Sequence, residues 1–222
     1  MKKLVLASAL TLSSMAFAQI DFSNTRYGVT GGLNYSRVRH AHNPSGPRYS
    51  FHAGVLALIP VDRNQMFFIQ PGVEYYGAGE TGKDKDAKGT PGYNAVYAED
   101  YISVPLMFKV YFSEAESEFF GLIGPRFNFL VNQKVTDPSK AYYAVDQLTA
   151  YPGVNGKANS FNFGLGAGIG YSYMRKMELT LKYDMGFSNT YPNLMKEPGM
   201  DPNIQKAKTT QVVSVGLSYI FD

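Results

Sequence analysis

Cysteine and tryptophan are both missing from the 222 residues. The lack of cysteine excludes disulfides, thiolate metal sites and a lipid-modified N-terminal cysteine together. Long apolar runs are missing too. No stretch approaches the ~18 uninterrupted apolar residues that a membrane-spanning helix needs, so the helical membrane class is excluded. Charge of one sign is scarce: 21 basic residues stand against 18 acidic ones, and Lys2 and Lys3 account for two of the former. A chain this close to neutral lacks the basic face of a nucleic-acid binder, and no nucleic-acid partner is expected.

What is present begins with an address. Met1, Lys2 and Lys3 give a positive start, residues 4–15 an apolar run, and Ala16-Phe17-Ala18 a small-x-small cleavage pattern. This predicts a signal peptide over residues 1–18, cleaved after Ala18, followed by one domain over residues 19–222. With 17 Tyr, 15 Phe and 22 Gly, the remainder favours closely packed β structure.

Alternation with a period of two recurs eight times, separated by turn-forming residues. Over 27–38, Tyr27, Val29, Leu33 and Tyr35 alternate with Gly28, Thr30, Gly32, Asn34 and Ser36. Runs over 49–59, 66–77, 102–112 and 119–131 repeat the pattern with Phe51, Val55, Val73, Leu106, Phe108, Ile123 and Phe127 on the apolar face. The run over 161–173 is the clearest: Phe161, Phe163, Leu165, Ala167, Ile169, Tyr171 and Tyr173 alternate with Asn162, four glycines and Ser172. Runs over 178–188 and 213–221 complete the set. The pattern predicts an all-β fold, an eight-stranded antiparallel up-and-down transmembrane β-barrel.

A soluble barrel of lipocalin type would show the same period with its apolar face inward. The composition of the other face decides between them. A row of glycines hydrates an outer surface poorly but suits a crowded interior, so the bulky side chains point outward into lipid. Closure lets every backbone donor and acceptor find a partner there. With no Trp, interfacial girdles fall to Tyr27, Tyr35, Tyr49, Tyr75, Tyr171 and Tyr219. The links after the second, fourth and sixth runs are short, whereas 39–48, 78–95, 132–159 and 189–207 are longer and polar. That asymmetry predicts turns and both termini in the periplasm and loops outside the cell.

Gln70-Pro71-Gly72-Val73-Glu74-Tyr75, the segment 101–109 from Tyr101 to Lys109, Gly124-Pro125 and the segment 183–189 from Tyr183 to Asn189 resemble strand motifs of the PorT-like outer-membrane β-barrel family. The resemblance covers nearly all of the chain after residue 18. It implies an outer-membrane barrel of eight strands, without assigned activity for most members. PorT itself is associated with protein secretion, a role the resemblance does not carry to every relative. The chain departs from many outer-membrane barrels in ending on Asp222, with Phe221 next to last.

Signatures of catalysis are weak. The segment 77–84 resembles a phosphate-binding loop until Asp84, which stands where a hydroxyl residue would hold magnesium; it reads as a flexible loop. The glycines at 164, 166, 168 and 170 do not match a dinucleotide fingerprint and read as lumen packing. His40 and His42 lack further ligands nearby in sequence, and Asp84 and Asp86 alternate with lysines. No Ser-centred elbow is present, and no His/Ser constellation can be assembled. No enzymatic activity and no cofactor are expected.

Six charges project inward: Glu74, Lys109, Arg126, Glu178, Lys182 and Asp184. Charge in a narrow interior is costly unless paired, so these predict a salt-bridge network filling the lumen. Two functions stay open. One is a structural or interaction barrel in outer-membrane lipid, inserted by the barrel assembly machinery, whose loop over 132–159 offers Tyr142, Tyr143 and Tyr151 to an extracellular or secretion-system protein. The other is a small pore or ligand-binding barrel, which eight strands disfavour because they leave no continuous channel.

Overall fold

The computed structural model describes residues 22–42, 45–89, 93–137, 152–196, 199–200 and 202–221. Eight antiparallel strands follow in sequence and close on themselves. They are β1 (Arg26–Arg39), β2 (Gly46–Pro60), β3 (Phe67–Thr81), β4 (Val96–Tyr111), β5 (Glu118–Thr136), β6 (Phe161–Tyr173), β7 (Met177–Gly186) and β8 (Thr209–Ile220). The seam runs from Gly28 opposite Ile220 to Arg39 opposite Thr209.

The apolar face of every run points outward. Leu33, Val55, Ile123, Ile169, Leu181 and Leu217 are at least half exposed, which only a lipid environment makes favourable over a whole barrel. Two tyrosine belts border this surface. Tyr27, Tyr171 and Tyr219 lie toward the short turns; Tyr35, Tyr49 and Tyr75 lie toward the long loops. Tyr35 stands eight residues beyond Tyr27, which is about 26 Å of strand at ~3.3 Å per residue. At a tilt of about 40° this is a height of about 20 Å, close to the ~25 Å apolar band of outer-membrane barrels.

Glycine lines the inner face of β6 because opposite strands project into the space a side chain would fill. A Cβ on Gly166 would meet the carboxylate of Asp184, and one on Gly170 would meet the ring of Phe120.

Several strands outrun their hydrophobic patterns. β3 continues through Thr81, so residues 77–81, read from sequence as flexible loop, are paired with β4 from Gly77 opposite Asp100 to Thr81 opposite Val96. β5 reaches Thr136, and β2 begins at Gly46 opposite Thr81. The β1–β2 link is therefore only residues 40–45, no longer than the turns over 61–66 and 112–117, and not the long loop expected. Above the tyrosine belt neither face meets lipid, so the alternation that marks a strand fades there while the backbone ladder persists.

Candidate functional site

The interior is filled in three tiers. In the middle, Arg126 of β5 is 1% exposed and binds two carboxylates. Its Nε donates to Asp184 Oδ1 at 3.1 Å, and its Nη1 donates to Glu74 and to Ser103 Oγ at 3.0 Å. The guanidinium lies 4.3 Å from the ring centroid of Tyr76, whose hydroxyl donates to Asp184 Oδ2 at 3.0 Å. Above it, His52 Nδ1 is 2.7 Å from Asn34 Oδ1, and Asn34 Nδ2 donates to the Gly77 carbonyl at 2.9 Å.

Lys182 departs from the expected network. It makes no hydrogen bond or ion pair within 4 Å among the described residues. Instead it lines a polar cavity of about 50 Å³ with His52, Glu74, Gln70, Thr180 and Ser214. Such a space is large enough for a few ordered waters, and the field of Glu74 and Asp184 still reaches the ammonium.

Toward the short turns, Lys109 pairs with Glu178, which also accepts from the Tyr111 hydroxyl at 2.6 Å. Lys109 Nζ lies 4.0 Å from the ring centroid of Phe120. Around and below this pair the lumen turns apolar: Leu56, Leu58, Phe68, Met107, Tyr111, Phe120, Leu122 and Ile220 form one buried cluster, of which Leu56, Met107 and Leu122 also line the cavity beside Lys182. A small or polar inner face was expected here. The signal was visible in the doubled apolar residues Leu56–Ile59, Phe67–Phe68 and Phe119–Phe120, where both faces of a strand are apolar at once. Arg175 closes this end, donating to Glu118 Oε1 at 2.6 Å and to the carbonyls of Gln65 at 2.9 Å and Ser113 at 3.2 Å. One side chain thereby joins all three short turns.

The opposite mouth is covered by Val154, Ala158, Tyr191 and Leu194 packed with Val38. Beneath them His42 stacks on Tyr97 at 3.5 Å between centroids, and its Nδ1 is 2.5 Å from Glu80 Oε1. Ser45 Oγ donates to Glu80 Oε2 at 2.6 Å, and the Tyr191 hydroxyl donates to Glu99 Oε1. Sequence spacing gave no hint of this clasp, because its members come from four separate elements. Burial, then the neighbouring charge of Glu99, raises the Tyr191 hydroxyl well above its ordinary range.

Other candidates disperse. At His40, partial burial and then the cations Lys206, Arg39 and Lys208 hold the imidazole below its usual value. Among the described residues no group of three His, Asp or Glu side chains is placed to hold a metal ion. Asp84 Oδ1 accepts from the Asp86 amide at 3.1 Å, so it caps a turn. Ser45, Glu80 and His42 do converge, a grouping not foreseen from sequence, but the carboxylate sits between hydroxyl and imidazole. A nucleophile triad needs the imidazole in the middle. Tyr142, Tyr143 and Tyr151 lie outside the described residues.

The family model for the outer membrane protein beta-barrel domain matches residues 17–191, most of the chain. The chain belongs to that family. As an outer membrane β-barrel protein it is similar to several solved structures at low sequence identity. The attachment invasion locus protein Ail of Yersinia pestis is 12% identical, with a TM-score of 0.44 over 89% of this chain and 99% of that one. Neisserial surface protein A is 12% identical, with a TM-score of 0.46 over 88% and 97%. A major outer membrane protein of Thermus thermophilus is 14% identical, with a TM-score of 0.44 over 89% and 99%. The outer membrane enzyme PagL is similar at 8% identity and a TM-score of 0.44, over 85% and 98%. Likenesses of this degree support no transfer of activity. No curated protein matches the chain.

Proposed function

We propose that the protein is a PorT-like, non-catalytic scaffold of the outer membrane, exported by a signal peptide over residues 1–18 and cleaved after Ala18. Its short turns face the periplasm. Its long loops, including Tyr142, Tyr143 and Tyr151, face outward for an extracellular or secretion-system protein partner. Glu74, Lys109, Arg126, Glu178 and Asp184 act as an internal brace, with Lys182 balancing the charge at one remove, and insertion depends on the barrel assembly machinery.

The observation that carries this reading is the apolar cluster across the short-turn end of the lumen. An aqueous path would have to pass Phe68, Phe120 and Ile220, each at most 1% exposed. The order Ser45–Glu80–His42 supports the absence of catalysis, since the imidazole is not hydrogen-bonded to the hydroxyl it would have to activate.

Planar-bilayer recording of the refolded protein tests the scaffold. The wild type is expected to be silent, with steps appearing only when Phe68→Ala and Phe120→Ala open the plug. Reproducible wild-type steps that change in Arg126→Ala or Asp184→Ala would instead establish the small pore.

A further inference from the structure

At the long-loop end of the seam the outward face of β1 becomes basic. Leu33 and Tyr35 are followed on the same face by Arg37 and Arg39, all four exposed. Arg37 stands two residues beyond the belt tyrosine Tyr35, about 7 Å along the strand, and Arg39 about 13 Å beyond it. Their partners on β8, Gln211 and Thr209, carry no charge. The loop between β7 and β8 brings exposed Lys206 to the same corner, where His40 feels Lys206, Arg39 and Lys208 together.

No carboxylate among the described residues lies within ion-pair distance of Arg37, Arg39 or Lys206. The contrast lies elsewhere on the rim, where Arg48 of β2 is neutralised by Asp100 of β4 at 3.3 Å. Arg37 keeps one anchor, donating from Nη2 to the Ser45 carbonyl at 3.1 Å, which steadies the side chain against the barrel wall.

We infer that Arg37, Arg39 and Lys206 form a binding site for a phosphorylated lipid headgroup of the outer leaflet. The height is that of headgroups rather than of acyl chains or free solvent, because the site begins directly above the Tyr35–Tyr49 pair that marks the interface. The chemistry fits phosphate: guanidinium groups offer paired donors to its oxygens, and a partly desolvated surface weakens screening. The exposed apolar residues below, Leu33, Val213 and Val215, give the acyl chains of the same lipid a wall. This site rests on the proposed outward orientation of the long loops.

The test uses the refolded full-length mature protein in detergent, with diphosphoryl lipid A and its dephosphorylated form as probes and native mass spectrometry as readout. One diphosphoryl lipid is expected to be retained, the dephosphorylated one not, and retention should fall about tenfold in Arg37→Gln/Arg39→Gln. Arg37→Lys/Arg39→Lys should keep the preference for phosphate, which guards against a variant that merely folds poorly. Equal retention of both lipids, or an equal loss in Lys134→Gln on the far side of the rim, would overturn the site. Orientation is judged separately in a chain with no native cysteine. Fully exposed Met200, changed to Cys, should react with an impermeant maleimide on intact cells. Reaction there without lipid retention sinks the site alone, whereas reaction only after the outer membrane is permeabilised sinks the orientation and the site with it.

Discussion

Arg126 holds two buried carboxylates with one guanidinium, so its removal strands charge in a narrow interior rather than merely deleting a contact. Arg126→Ala is expected to cost about 3–5 kcal/mol, the range for breaking a buried pair from one side. Adding Glu74→Gln and Asp184→Asn should recover much of that loss in urea-gradient unfolding. Gly170→Val is a second test at this scale. Its Cβ would run into the Phe120 ring and the Leu179 carbonyl, and overpacking of this kind costs about 1–3 kcal/mol, seen as a lower temperature of the heat-modified shift in detergent gels. The inward positions of Glu74, Lys109, Arg126, Glu178, Lys182 and Asp184 were legible from parity alone. Which of them touch was not, because partners such as Arg126 and Asp184 lie on different strands and meet only after closure. Lys182 shares its parity with Asp184 yet points into a cavity rather than at a carboxylate.

The short turn between β6 and β7 places Met174 and Arg175 at φ +52° and +49°. These two central positions belong to the tight hairpin type that usually takes Asn or Gly. Met174→Asn should therefore stabilise by about 0.5–1 kcal/mol, with Arg175 kept for its contacts to the other two turns. Arg175→Ala should instead loosen all three turns, measured as faster amide exchange in residues 61–66, 112–117 and 174–176 together. At the opposite end, the Tyr191 hydroxyl is raised by burial and by Glu99. A neutral acid favoured by folding contributes fully below its unfolded value of about 10, and that contribution is lost as pH rises through the folded value. Loop 187–208 should thus gain protease sensitivity above about pH 10, and Tyr191→Phe should remove that dependence. Strand existence was readable throughout, but strand length was not. Residues 96–101 and 132–136 form ladder with no hydrophobic alternation, because beyond the belt backbone pairing and polar side-chain contacts such as Arg48 with Asp100 hold them, and no lipid-facing stripe is needed.

Across the whole molecule, eight alternating runs sufficed for the closed barrel, since an open sheet edge would leave backbone groups unsatisfied in lipid. The asymmetry of connections was readable except at residues 40–45, where β2 extends early to pair with β3 and shortens a link expected to be long. A filled lumen was expected, but the apolar cluster at its short-turn end was not read, because the inner-face residues that form it appear in sequence as blurred periodicity. The six inward charges suggested a salt-bridge network filling the lumen, whereas the structure divides the interior into a braced middle, a polar pocket and an apolar floor.

The seam between β1 and β8 joins residues at opposite ends of the chain, with Gly28 facing Ile220. Its consequence is temporal. Until the last strand has emerged from the export channel, β1 and whichever strand is latest each present an unpaired edge, and neither can rest in hydrocarbon. Pairings this distant in sequence also form slowly. The polypeptide must therefore travel as an unclosed intermediate, exposed to self-association, and a chain stopped at residue 208 should stay on the periplasmic side in complexes with chaperones rather than appear as a seven-stranded membrane species.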